Sequence, residues 1–358
     1  MPDVAAQPVD QNKLHEFIMK AVGEMGAAMN AALILVGDNL GLYKAMAGSG
    51  ALTSAEVAAK THTHERYVRE WLAAQAAGGF ITYDAATEKY NLPAEQAMAL
   101  ADESSPVFLP GFFEVIEACI KDVPKITDAF KSGKGVGWHE HEGCLFTGTE
   151  RFFRPNYRAH LIGEWIPALD GVEAKLKCGA RVADVGCGLG TSTILMAEAY
   201  PKSTFVGFDY HARSIELARE AAEKAGLSDR VNFETAKAKD FPGKDYQFVA
   251  FFDCLHDMGD PEGAARHVLQ SLAPDGTWMI VEPFANDKLE DNLNPIGRVF
   301  YGASTMLCTP ASVSQEVGLA LGAQAGEARL TKILRSAGFK HVRRAAETPF
   351  NLVLEAKP

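Results

Sequence analysis

Several things are scarce in this sequence, and each scarcity excludes something. None of the six cysteines (119, 144, 178, 187, 254 and 308) stands in a C-x-x-C pair. That argues against a disulfide framework and for reduced, intracellular thiols. Uninterrupted apolar runs are short. "AALILVG" at 31–37 is one of the longest, far below the roughly 20 residues of a membrane span. The opening "MPDVAAQPVDQNK" has neither the basic start nor the apolar core of a signal peptide. Positive charge is also scarce, with 35 Lys and Arg against 46 Asp and Glu and a formal net charge of -11. Such a field repels phosphate backbones and disfavours general nucleic-acid binding. No internal repeat or low-complexity tract stands out. A cytoplasmic protein without membrane association is the expectation. What is plentiful is apolar side chain: 47% of 358 residues are hydrophobic and 23% charged, enough for more than one packed core.

The C-terminal half alternates strands with helices. "RVADVG" (181–186), "STFVGFD" (203–209), "RVNFETA" (230–236), "YQFVAFFD" (246–253) and "GTWMIVEP" (276–283) read as strands. Helices are expected at 191–200, 212–227, 261–273 and 328–339, the third with proline in its first turn. The alternation predicts an α/β fold, a doubly wound sheet with a mostly parallel core. "HVRRAAE" and "FNLVLEAK", joined by "TP", should close the chain as an antiparallel pair. The N-terminal part reads differently. Residues 12–46 are nearly all helix-compatible, with glycines that suggest breaks. Residues 51–93 read helix, turn, helix and two short strands around "DAATE", the order of a winged helix. Three regions follow: a winged-helix and dimerisation part at 1–100, a helical linker with an active-site loop at 101–175, and an α/β domain at 176–358.

The sharpest motif is "DVGCGLG", Asp184 to Gly190, between a strand and a helix. Glycines 186, 188 and 190 allow a tight turn and close approach of a ligand. The helix N-terminus that follows offers free N–H groups. The next strand ends at Asp209, where an acid can accept both hydroxyls of a ribose. The spacing is GxGxG and not the GxGxxG of a dinucleotide site. Together these features point to a nucleoside cofactor.

"VADVGCGLGTST", "FVGFDYHARSIELAR" and the antiparallel last strand resemble class I S-adenosylmethionine-dependent methyltransferases, over residues 176–358. The whole chain resembles a bacterial branch in which a winged helix precedes that Rossmann-like, seven-stranded fold. The resemblance implies S-adenosylmethionine as cofactor and S-adenosylhomocysteine as product. It places the glycine loop beneath the methionine part and Asp209 on the ribose. Asp184, Gly186, Gly188, Gly190, Asp209 and Asp253 are then expected at the cofactor. Ala238 and Phe241 would wall the adenine. The family commonly has an acid after the third strand; here Lys237 stands in that place, with Asp240 as the neighbouring candidate.

Methyl transfer from a sulfonium needs the acceptor held in line and water excluded. A hydroxyl acceptor must also lose a proton, and a histidine titrating near about 6.5 suits that task. "FFDCLHDMGDP" delivers His256 just past the carboxyl edge of its strand. "LHDMGDP" is similar to the "HDW(S/D)D" segment of winged-helix O-methyltransferases, with Met258 in place of the tryptophan. That similarity implies His256 as general base and Glu282 as the acid orienting it; Asp257 reads as structural. Carbon or nitrogen acceptors remain alternatives, as does a cofactor-sensing transcriptional regulator. Against the regulator, residues 1–100 hold seven Lys and Arg against eleven Asp and Glu. A homodimer through helices 14–47 is expected, acting on a small-molecule methyl acceptor. "WHEHEGC" (138–144) lacks metal-ligand spacing, so no metal is expected. It reads as a polar loop over the cofactor or substrate. Arg154, Tyr157 and Arg158 are candidates to touch the cofactor's carboxylate, and 297–308 reads as a lid helix carrying Tyr301, Met306 and Cys308.

Overall fold

A helix opens the chain where Asp10 can cap it: its carboxylate accepts the N–H groups of Asn12 and Lys13, and the helix runs Gln11–Asn39. The expected glycine break falls at Gly41, in the left-handed region, before a short helix Leu42–Met46. The fold is described from a computed structural model, for residues 9–358. It divides into two units, the described residues up to Ile116 and Glu117–Pro358. The division falls inside the helix Pro110–Lys121, so residues 101–175 are shared between the two units.

In the first unit the helices Ser54–Thr61 and Glu65–Ala77 are followed by β1 (Thr82–Asp84) and β2 (Lys89–Asn91), paired antiparallel. This is the expected winged-helix order. Thr53 and Glu56 form a reciprocal capping box at the start of the first of these helices. Trp71 donates its indole N–H to the Leu33 carbonyl at 2.8 Å and lies against Gly37, where a Cβ would meet its ring at 2.5 Å. Only the C-terminal end of Gln11–Asn39 is buried, at Ala31, Ile34 and Gly37. That helix is long and apolar enough, by length and composition, to cross a membrane. The short uninterrupted runs of the sequence concealed this.

The second unit is built on β3 (Arg181–Val185), β4 (Thr204–Asp209), β5 (Val231–Thr235), β6 (Tyr246–Phe252), β7 (Leu272–Pro283), β8 (His341–Glu347) and β9 (Asn351–Lys357). These match the expected strands closely, except that β7 starts at Leu272 and not at Gly276. Their order across the sheet is β5-β4-β3-β6-β7-β9-β8. The first five pair parallel, and β9 pairs antiparallel with both β7 and β8. Successive residues feed opposite cores: Phe248, Ala250 and Phe252 pack on one face, Val249 and Phe251 on the other. Chain order reverses between β3 and β6, so a crevice opens at their carboxyl ends.

Candidate active site

Four strand ends converge on that crevice. After β3 the chain turns through Gly186, Gly188 and Gly190, all at positive φ. Their surroundings differ. At Gly190 a Cβ would strike Phe233 at 2.6 Å, whereas at Gly188 nothing lies within 4 Å. Gly190 therefore serves packing, and Gly188 faces open space.

Asp209 ends β4. Its Oδ2 accepts the Gly188 N–H at 3.0 Å and its Oδ1 the His211 N–H at 2.8 Å. Burial raises its pKa above the ordinary carboxylate value. Each oxygen keeps a lone pair for a further donor, as two ribose hydroxyls require. Asp184 is fully buried on β3. Its Oδ2 accepts from Ser192 and Thr193 at 2.6 Å each, tying the strand to the helix Thr191–Ala199, while Oδ1 has no hydrogen-bond partner. Burial pushes its pKa up to about 6 against those two bonds.

Asp253 follows β6 at φ 49°, a left-handed conformation unusual for a residue with a side chain. Tyr157 donates to its Oδ2 at 3.0 Å and Asn351 to its Oδ1 at 3.2 Å; Asn156 in turn donates to Asn351 at 2.7 Å. Burial, reinforced by the charge of Glu282, pushes Asp253 up to about 8. Three acids with raised pKa values, one fully buried with an unpartnered oxygen and two half-buried, suit a ligand that carries positive charge. S-adenosylmethionine carries a sulfonium and an ammonium, so the residues present fit it.

His256 lies in the turn Leu255–Asp257 and is 4% exposed. Its Nδ1 is 2.5 Å from Glu282 Oε2. Glu282 is buried near the end of β7, and its other oxygen accepts the Leu255 N–H at 2.9 Å. Asp257 Oδ1 stands 3.1 Å from Nε2 yet makes no hydrogen bond, so the pairing there is one of charge. Burial works to lower the histidine's pKa, but Asp257 and Glu282 outweigh it and hold it well above the ordinary value. Asp257 is therefore an electrostatic partner of the imidazole. Sequence reasoning missed that role, along with the Tyr157–Asp253–Asn351 chain. The pairing of Pro283 with Asn351 across β7 and β9 is the register signal that would have found Asn351.

The other expected residues fall as follows. Ala238 is half-buried beside the sheet's second core. Phe241 is 1% exposed and packs on Phe208 and His267, a core position. Asp240 is exposed, and its Oδ1 accepts the Lys237 N–H at 3.1 Å, closing its own turn. Arg154 faces Glu150 at 3.4 Å and Arg158 is exposed, whereas Tyr157 reaches the site through Asp253. The "WHEHEGC" loop is anchored by His141 on the buried Asp122 at 2.7 Å and by Val136 on the Pro310 carbonyl at 3.0 Å. His139 meets Tyr210 edge-on at 6.0 Å, and Phe146 stacks on His211 at 4.5 Å, so the loop borders the Asp209 edge of the crevice.

Known proteins resemble this chain in sequence and in fold. Residues 176–338 match the family described as a methyltransferase domain, and residues 28–102 the Rv2258c-like winged HTH domain. A 27-O-demethylrifamycin SV methyltransferase of Amycolatopsis mediterranei is 36% identical over 103 residues, 28% of this chain and 38% of that one. The mitomycin 7-O-methyltransferase structure superposes with a TM-score of 0.70 at 17% identity, covering 98% of this chain and 100% of that one. Human N-acetylserotonin methyltransferase, solved with S-adenosylmethionine, gives 0.67 at 15% identity, covering 100% and 99%. At such identities the superpositions establish a common fold. The chain spans 24% to 47% of the length of four curated relatives it matches.

Proposed function

We propose that this chain, which joins a winged helix-turn-helix domain to a methyltransferase domain, transfers a methyl group from S-adenosylmethionine to a hydroxyl of a small molecule, with His256 as general base. The observation that carries this reading is the buried Glu282–His256 pair at the carboxyl edge of β6 and β7. Asp209, held in place by the Gly188 N–H, would bind the nucleoside end. Asp253, beside Tyr157, would meet the positive charge. S-adenosylmethionine supplies a methyl group bound to a sulfonium and ready for in-line displacement. Glu282 fixes the ring and offsets the imidazolium charge that forms when Nε2 takes the acceptor's proton.

A carbon or nitrogen acceptor would use the same cofactor residues without needing His256 as base. The two readings separate in one experiment. S-adenosylhomocysteine is titrated calorimetrically into wild type and His256→Ala, and transfer to phenolic and amine acceptors is followed in both. Retained binding with lost transfer to phenols supports the base; equal rates remove it.

The regulator reading is disfavoured by the second winged-helix helix, Glu65–Ala77. Arg66 pairs with Glu70 and Arg69 with Glu65, both at 2.6 Å, so its cations are spent on its own glutamates. A salt-sensitive shift of duplex DNA would revive that reading. A homodimer and a cytoplasmic location belong to the same proposal. Phe17, Ile18, Met19, Val22, Met25 and Met29 are exposed on Gln11–Asn39, and a second copy would cover them. Light scattering reports the dimer; flotation with phospholipid vesicles would instead reveal a membrane-bound helix.

A further inference from the structure

We propose that His256, Asp257 and Cys308 form a binding site for a divalent transition-metal ion of the zinc class. The imidazole, carboxylate and thiol donor atoms all lie within 4.8 Å of one another. Ligands at the usual zinc distances of about 2.0–2.3 Å stand roughly 3.3–3.8 Å apart in a tetrahedron. Small side-chain rotations are therefore enough to close the set. His256 and Asp257 are neighbours in the turn after β6, whereas Cys308 comes from a distant element, the wide helical turn Ser304–Cys308. Such turns recur at functional sites. No spacing rule would have found the set.

Three further observations point to a ligand. His256 donates Nδ1 to Glu282, which also holds the Leu255 amide. That is the carboxylate–histidine arrangement that orients metal ligands and turns Nε2 outward. Asp257 Oδ1 is buried, meets no hydrogen-bond geometry and has only the His256 Nε2 close by, at 3.1 Å, so it keeps lone-pair capacity that a shared ion would take up. Two carboxylates, Asp257 and Glu282, flank a single imidazole, and among the described ion pairs that imidazole is the only cation either carboxylate meets. The mixture of thiolate, imidazole and carboxylate selects zinc or cobalt over magnesium or calcium. Three protein ligands leave a fourth position open.

Binding would release the Cys308 thiol proton, and any proton on Nε2, to solvent. An Nε2 that holds a metal has no lone pair left for an acceptor's proton. Occupancy and base action at His256 therefore exclude each other, and the ion would inhibit methyl transfer to a hydroxyl. The binding itself does not depend on the methyl-transfer reading.

Metal-stripped full-length protein is titrated with Co2+ under argon. One equivalent should bind with a near-ultraviolet thiolate-to-cobalt band and the visible bands of a tetrahedral centre, both erased by Zn2+. Cys308→Ser should lose the near-ultraviolet band, and Asp257→Asn should bind at least tenfold more weakly. Cys178→Ser, altered at an exposed cysteine, should behave as wild type. S-adenosylhomocysteine binding serves as the folding control; should Cys308→Ser fail it, Cys308→Ala is read in its place. Absence of stoichiometric binding, or a thiolate band that survives the loss of Cys308, would overturn the site.

Discussion

Glu282 holds His256 through one carboxylate oxygen, 2.5 Å from Nδ1, while its other oxygen takes the Leu255 amide at 2.9 Å. One buried side chain thus fixes both the ring and the turn that presents it. The first prediction concerns that grip. Glu282→Gln keeps the shape but removes the charge that offsets the imidazolium. Turnover with a hydroxyl acceptor should fall about 100-fold, at the lower end of what general acid–base catalysis contributes. Affinity for S-adenosylhomocysteine should stay within about threefold, because Glu282 is assigned no cofactor contact. Steady-state kinetics beside calorimetry checks both. A variant with undiminished turnover would leave Glu282 a purely structural brace.

The proximity of His256 and Glu282 was legible in the sequence. His256 follows β6 and Glu282 stands near the end of β7, two adjacent parallel strands that finish at the same edge of the sheet. The glycine loop and Asp209 were legible for the same reason. What sequence could not show was how each lone pair is used. Asp184 and Asp240 are both acids near the loops in question. One spends its bonds on Ser192 and Thr193, the other on the Lys237 amide. Those assignments depend on side-chain direction, which periodicity does not encode. Cys308 was read only as part of a lid helix, because its neighbours His256 and Asp257 come from the turn after β6, far off in the sequence.

Asp209 gives the second prediction. Its two oxygens accept backbone N–H groups from Gly188 and His211 and would also accept the ribose hydroxyls. Hydrogen bonds to a charged acceptor are worth about 1.5–3 kcal/mol. Asp209→Ala should therefore weaken S-adenosylhomocysteine binding by at least about tenfold. Asp209→Asn, which retains one acceptor oxygen, should lie between the two. Calorimetric titration orders the three proteins, and equal affinities would remove Asp209 from the cofactor site.

Protonation gives the third. Burial lowers the His256 pKa, but Asp257 and Glu282 raise it more, to well above the ordinary value. The stability this contributes is complete below the unfolded value of about 6.5. It is lost as pH rises through the higher folded value. Burial pushes Asp253 up to about 8, so the folded state prefers its neutral form. Its contribution is present below the unfolded value of about 3.9 and lost as pH climbs through about 8. Both groups make the protein less stable as pH rises from neutral. The base, in contrast, must first lose its proton. Melting temperature should fall as pH rises above about 6.5, while kcat/KM with a hydroxyl acceptor rises with it. Asp253→Asn should flatten the first slope only. A rate already level at pH 6.5 would show that His256 does not take the proton.

Two glycines in one loop give the last. At Gly190 an added methyl would strike the Phe233 ring at 2.6 Å, and φ is 82°. That ring is 1% exposed and locked in the core, so it cannot swing away. Left-handed strain of about 1–2 kcal/mol and overpacking of about 1–3 kcal/mol should add. Gly190→Ala should therefore melt well below wild type, whether or not cofactor is present. At Gly188 φ is 52° but the methyl meets nothing within 4 Å. Gly188→Ala should pay only the backbone strain and melt a few degrees lower. Its methyl would instead stand in the open space beside Asp209, and S-adenosylhomocysteine should bind at least tenfold more weakly. The two variants separate packing from binding within a single turn. A Gly188→Ala protein that binds as tightly as wild type would mean that the cofactor approaches the loop from another side.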